Sequence, residues 1–320
     1  MIAVVLLLGA SAPAARTFPG EAGNQSQPID LSNFTGPYLG QKPPGMTPEL
    51  FEPTSQIGGA VFSPDGTELI FRGPTGLMVA RLENGRWTEP RAMGFSGGDL
   101  NYSPDGRKLF FSSNRPPQKK VPPLDHMDIW VVHRTEGGWS EPKNIGSPVN
   151  SEQHESWASL AENGNLYFFR DSGGGARAVG GAVVRRPSDG TPPVVDIYCS
   201  KFIDGRYTAP EKLGPEVNSD AVDLDPTVAP DESYLVFHSN RPGGFGQMDL
   251  YISFRNGDGS WTPAVNMGDK INSAGNEASG RVSADGAYFF FNKGDLRTRT
   301  SGRYWVSAKI FEELRKSAVK

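Results

Sequence analysis

The sequence predicts an all-β fold, a five-bladed β-propeller of four-stranded blades closed by an N-terminal strand that completes the last blade. Three observations carry that expectation. First, a four-residue turn recurs five times, as Ser63-Pro64-Asp65-Gly66, Ser103-Pro104-Asp105-Gly106, Ala161-Glu162-Asn163-Gly164, Ala229-Pro230-Asp231-Glu232 and Ser283-Ala284-Asp285-Gly286. Second, each copy runs at once into an apolar, aromatic stretch such as Leu109-Phe110-Phe111 or Tyr288-Phe289-Phe290-Phe291. Third, the last repeat lacks a fourth strand, while Leu50-Phe51-Glu52-Pro53 carries a fourth-strand mark ahead of the first repeat. Self-similarity of this kind signals a repeat architecture. Pro presets φ and Gly permits positive φ, so each turn closes a tight hairpin.

Along the chain, residues 1–14 read as a signal peptide. The apolar run from Ile2 to Ala10 is too short to span a bilayer, and Ala12-Pro13-Ala14 suits a cleavage site. No Lys or Arg precedes the run, which leaves a displaced start or an anchor as alternatives. Residues 15–45 are rich in Gly, Pro, Ser and Gln and are expected to form a flexible tether without a core. They include a glycosylation sequon, Asn33-Phe34-Thr35. The propeller is expected over residues 46–310, with residues 46–54 clasping the ring and removing its free edges.

The second repeat shows a whole blade. Asp99-Leu100-Asn101-Tyr102 gives the inner strand, Lys108 to Phe111 the second, Asp128 to Val132 the third and Trp139-Ser140-Glu141-Pro142 the start of a fourth. Asp196-Ile197-Tyr198 and Asp249-Leu250-Tyr251 repeat the third-strand mark, and Trp87, Tyr207 and Trp261 repeat the fourth. Proline after those aromatics fits an outer strand, where a missing N–H does no harm. Six blades are the alternative, but residues 15–45 show no strand pattern to supply another. A C-terminal tail, 311–320, ends the chain, with a short helix expected from Lys309 to Lys316.

Bulk numbers exclude several classes. The chain has 320 residues, with 32 basic and 36 acidic side chains and a net charge of −4. That balance gives no basic face for nucleic acid. Cys199 is the one cysteine, so an internal disulfide and a cysteine metal site are both impossible. It reads as a small core residue in an apolar strand. The four histidines lack metal-ligand spacing, and no nucleophile elbow, P-loop or dinucleotide fingerprint occurs.

The Ser-Pro-Asp-Gly turns, the loop Ser239-Asn240-Arg241-Pro242-Gly243-Gly244-Phe245-Gly246 and the Asp-Leu-Tyr that follows resemble the WD40-like (PD40) propeller repeat of TolB-like proteins. The resemblance covers roughly residues 46–310. It implies a bacterial envelope or extracellular setting, periplasmic or secreted, and a propeller that binds partners. One propeller hosts many unrelated activities, so the site itself must argue function. The turns also resemble the Asp-box of sialidases, but the Trp of that motif is missing at its spacing.

The linkers into the inner strands hold a second repeat. Asn150-Ser151 precedes Glu155, Asn218-Ser219 precedes Asp223 and Asn272-Ser273 precedes Glu277, each acid standing six residues before its turn. Three carboxylates at one height near the channel mouth would repel one another unless offset. Two readings follow: a site for Ca²⁺ or another ligand, or three local caps on linker backbone. The candidate ligand-binding residues are Glu155, Asp223, Glu277, Asp99, Asp225, His154, Trp157, Arg115, Arg170 and Arg241, with Glu155, Asp223 and Glu277 as tentative metal ligands. No catalytic residue is assigned. Arg115 and Arg241 are alternatively expected to pair with Asp128 and Asp249. The long Gly-rich loop 172–195 is either a lid over the mouth or solvated chain. The expected function is an exported, non-catalytic binding module, monomeric and without a membrane span once mature, that recognises protein or saccharide at the channel mouth. The alternative is a carbohydrate-active hydrolase with a central carboxylate cluster.

Overall fold

A computed structural model describes residues 30–51, 59–117, 123–171, 176–179, 182–185, 195–283, 285–295 and 300–318. Residues 1–14, the tether up to residue 29 and most of the loop 172–195 lie outside them. Within that loop the described strands Ala176–Val179 and Ala182–Arg185 form a hairpin.

Five antiparallel sheets make the five blades. Blade 1 runs Val61–Phe62, Glu68–Gly73, Gly76–Glu83, Arg91–Ala92, and blade 2 runs Gly98–Tyr102, Lys108–Ser113, Asp128–Thr135, Lys143–Asn144. Blade 3 has His154–Leu160, Leu166–Asp171, Val195–Ser200, Glu211–Lys212, and blade 4 has Asp223–Val228, Tyr234–Ser239, Asp249–Phe254, Val265–Asn266. Blade 5 takes Asn276–Val282, Tyr288–Asp295 and Thr300–Ser307 from the C-terminal part and Glu49–Leu50 from the N-terminal part. The ring is therefore clasped, with Glu49 opposite Trp305 and Leu50 opposite Tyr304.

Each turn is closed by the backbone bond the motif requires, from Gly66 N to Ser63 O and from Gly106 N to Ser103 O, each at 2.9 Å. The motif's Ser and Asp brace one another, Ser63 Oγ and Ser103 Oγ each donating to the Asp at 2.6 Å. The aromatic runs supply the second strands, and their side chains fill the spaces between blades.

Three expectations need correction. The fourth-strand ladder does not form at the Trp of the mark. Trp87 and Trp139 sit in short hairpins on the third strand, and the outer strand starts just after the proline, at Arg91 and Lys143. Proline has no N–H to give, so it falls just ahead of the ladder. The closing strand follows the same rule: its mark is Thr47-Pro48-Glu49-Leu50, not Leu50-Phe51-Glu52-Pro53.

Residues 30–45 are not a tether. Leu31 and Leu39 are buried with Tyr38, Phe51, Trp87, Phe290 and Trp305 between blades 1 and 5. Trp87 Nε1 donates to Gly36 O at 2.9 Å, and a 3-10 turn, Pro37–Gly40, carries Tyr38 inward. The residues there that bury apolar area are few but large, and a composition average hides them.

The tail is a helix, Ile310–Ala318, whose Ile310 and Phe311 are buried against blades 4 and 5. Cys199 is buried and free, as the sequence implies.

Candidate functional site

The inner strands line the axis, and four of them break register at a bulge. The residue four before each turn takes left-handed φ in every blade: Gly59 64°, Asp99 52°, Trp157 57°, Asp225 50° and Ser279 57°. Gly and Asp adopt this region readily, whereas Trp and Ser adopt it at a cost of order 1–2 kcal/mol. A bulge re-aims side chains, and strain of this kind collects at functional sites. Two residues further on stand Val61, Asn101, Ser159, Thr227 and Arg281, which all line one cavity.

Four contacts meet at the axis: two, both from Arg281, join blades that are not neighbours, one joins neighbouring blades 2 and 3, and one lies within blade 4. Arg281 of blade 5 donates from Nε to Asn101 Oδ1 of blade 2 at 3.0 Å. Its guanidinium lies 4.0 Å from the centroid of the Trp157 ring of blade 3. Ser156 Oγ donates to Asp99 Oδ2 at 2.5 Å. His238 Nδ1 is 3.7 Å from Asp225 Oδ2.

Burial governs the charges here. Asp225 is pushed well above the usual carboxylate range by burial and by the nearby Asp99 charge, with Arg281 opposing. Burial holds the His238 imidazole down at about 3, so it is neutral at pH 7. Burial also lowers Arg281 to about 10 and Arg303 to about 9, leaving both cationic at neutral pH. The axis thus carries two guanidinium groups, two carboxyls, a neutral imidazole and an indole in contact with one another or close by.

The linker acids are placed differently. Glu155, Asp223 and Glu277 are each fully buried. Ser151 N and Oγ donate to Glu155, Ser219 N and Oγ to Asp223, and Ser273 N and Oγ to Glu277. A cation from the second strand, or in blade 4 from the loop just after it, completes each unit. Arg170 Nε reaches Glu155 at 2.8 Å and Arg241 reaches Asp223 at 2.7 Å. Lys293 stands across from Glu277 in register. The same cations hold linker carbonyls, Val149 O, Val217 O and Ile271 O. Burial raises Glu155 and Glu277, opposed by the Ser bonds and by Arg170 and Lys293 respectively. Each carboxylate is engaged inside its own blade. Among the described residues no group of three His, Cys, Asp or Glu side chains is placed to hold a metal ion. Glu155, Asp223 and Glu277, expected from their spacing as ligands for Ca²⁺, each face their own linker and form no such group.

The preceding asparagines explain the rest of the linker repeat. Asn150, Asn218 and Asn272 each bond both backbone groups of a third-strand residue, Ile129, Ile197 and Leu250. The expected pairings of Arg115 with Asp128 and Arg241 with Asp249 do not form. Asp128 and Asp249 accept from Asn144 and Asn266. Arg115 donates to Ser96 O at 2.9 Å, and Gly97 stands where blades 3, 4 and 5 carry an acid. His154 stacks on Phe169 and accepts from Met127 N at 3.4 Å.

Of the sequence-selected residues, the axis brings together Asp99, Asp225 and Trp157; Glu155, Asp223, Glu277, Arg170 and Arg241 belong to the linkers. Arg281, Arg303, Asn101 and His238 were not selected. Counting two back from each turn, rather than six, singles out Arg281 as the one charge in that ring. Arg303 lies in a third strand, and only packing carries it to the axis.

Fold and site together define a closed five-bladed propeller with a polar, charged axis. No family model matches the sequence, and a search of curated proteins finds no match. Among solved structures, a putative TolB from Agrobacterium tumefaciens is similar with TM-score 0.46 and 20% identity, over 75% of this chain and 70% of that one. TolB from Acinetobacter baumannii is similar with TM-score 0.45 and 13% identity, over 79% of this chain and 57% of that one. The PQQ domain of a pyranose dehydrogenase from Coprinopsis cinerea gives 0.37 and 10%, over 83% and 98%. At these scores the likenesses bear on no residue or ligand of this chain.

Proposed function

We propose that this chain is an exported, non-catalytic binding module that takes a segment of protein or a saccharide at its central channel. One observation supports the reading above the others: the left-handed positions of the inner strands aim Asp99, Trp157 and Asp225 at the axis, where Arg281 joins them. A polar, aromatic and charged constellation on a rigid scaffold suits recognition. The linker acids serve architecture in this reading, so the ligand sits deeper than the mouth. Export and an envelope or extracellular setting rest on the apolar N-terminal segment and the repeat resemblance. Among the described residues no helix is long and apolar enough to cross a membrane.

The test is calorimetric titration of peptides and oligosaccharides into the wild type and Asp99→Asn. Binding weakened at least tenfold by Asp99→Asn supports the channel; binding indifferent to it counts against the channel.

A second reading, a carbohydrate-active hydrolase, is favoured by the unequal settings of two carboxyls. Asp225 is buried and driven toward its neutral form, while Asp99 is more open and accepts from Ser156. An acid and a base in different environments are what glycoside hydrolysis needs. Hydrolysis of any glycan that Asp225→Asn abolishes would replace the binding reading with this one.

A further inference from the structure

Where the inner strands reach their turns, the axis opens into a cavity of about 90 Å³ bordered by all five blades. Its walls are largely apolar, with Phe62, Phe290, Leu160 and Val228 among them, while Arg281 and Arg303 supply charge. The rim is made of turn prolines, Pro64, Pro104 and Pro230. Proline fixes its own φ, so the rim is stiff.

The hydrogen-bonding groups of this cavity are out of balance. Arg303 is only 7% exposed, and its Nε has no hydrogen-bond partner among the described residues. Its guanidinium donates to Ala60 O and covers the Phe290 ring. The nearby Arg281 charge opposes its own, and among the described residues no carboxylate is close enough to offset it. Asn101 is also 7% exposed; its Oδ1 is taken by Arg281, and its Nδ2 has no partner among the described residues. Arg281 is different, because Asp225 and Asp99 lie near it. Two guanidinium groups and an amide N–H thus border one small, largely apolar space, and no carboxylate is among the described residues that line it. An unmatched buried charge is costly, and the cost of keeping Arg303 here is recovered if an anion enters.

We infer that this turn-face cavity binds a single carboxylate on a short apolar stem, held by Arg303, Arg281 and Asn101. A guanidinium fork matches the two coplanar oxygens of a carboxylate. The apolar walls then suit a stem of a few carbons, and the volume holds a group of several heavy atoms rather than a chain of sugars. Inorganic phosphate matches a guanidinium fork as well, but it has no carbon stem to set against the apolar walls. The carboxylate is either a free small acid or the C-terminus of a peptide presented at the proline rim. This inference rests on the binding-module reading and names the chemistry at one end of the same channel.

The experiment titrates sodium propionate, propionamide and inorganic phosphate into the full chain at fixed ionic strength. Thermal unfolding and calorimetry are the readouts. A saturable rise in Tm with propionate, and none with propionamide or with added sodium chloride, is the expected result. Arg303→Met keeps the stem over Phe290 and is expected to weaken propionate at least tenfold; Asn101→Leu is the second variant if the first does not fold. A short peptide with a free C-terminus, compared with its amide, separates the two sources of the carboxylate. Equal responses to propionate and propionamide, a response to phosphate alone, or propionate binding unchanged in the variant that folds would each overturn the inference. Failure of propionate while a larger ligand still depends on Asp99 overturns this inference alone. A propionate response with no larger ligand found overturns the broader reading alone.

Discussion

His238 and Asp225 form a buried pair in which both side chains are driven toward neutrality, and this makes stability pH-dependent in a defined direction. The folded-state pKa of His238, about 3, lies below its usual 6.5. Its contribution is therefore complete above pH 6.5 and falls away as pH drops toward 3, because the unfolded state binds the proton first. Between pH 6.5 and 5 the loss is about 2 kcal/mol, at about 1.4 kcal/mol per pH unit. His238→Met should flatten that limb in urea unfolding at pH 7 and pH 5; an unchanged slope would show that other groups set it. Asp225 works in the opposite sense. Its raised pKa means that stability present below the unfolded value near 3.8 is lost as pH rises through the folded value. Asp225→Asn, which keeps shape without charge, should match the wild type at acid pH and exceed it at neutral pH.

At the scale of elements, the linker repeat is a device for fixing blade to blade. Asn218 holds Ile197 N and O at 2.8 and 3.0 Å and also Leu213 O at 2.8 Å. Truncation to alanine leaves buried backbone groups without partners, and Asn218→Ala should cost about 2–4 kcal/mol by chemical denaturation. Asp223→Ala leaves the partly buried Arg241 beside a carbonyl without its counter-charge, an expected loss of about 3 kcal/mol. Neither effect should depend on calcium: thermal midpoints with Ca²⁺ and with chelator should coincide. A Ca²⁺ shift lost in Asp223→Ala would restore the cation reading. Here the spacing was fully legible in the sequence and its meaning was not. An acid six residues before a turn looks the same whether it faces an axis or folds back on its own linker, and only the bonds of Glu155, Asp223 and Glu277 to their linker serines separate the cases.

At the scale of the whole molecule, closure joins the two ends of the chain. Phe51 is fully buried and packs edge-on against Phe62, Phe290 and Trp305, so it touches blade 1 and blade 5 together. Phe51→Ala should cost about 3–5 kcal/mol, and removal of residues 30–51 should open the edge of Thr300–Ser307 to aggregation. Light scattering and thermal unfolding check both; a shortened chain that stays monomeric and equally stable would return residues 30–45 to the status of a tether. By itself the sequence determined the blade count, the inner, second and third strands and the closing strand, because a period repeated five times averages out local ambiguity. It also held the bulge register, since each left-handed residue stands four before its turn. Tertiary structure alone decided which charges meet. Arg281 and Asn101 are 180 positions apart and Arg303 and Ala60 are 243 apart, yet each pair is hydrogen-bonded. Radial folding brings distant strands to one axis, and no local pattern records which of their side chains will lose water there together.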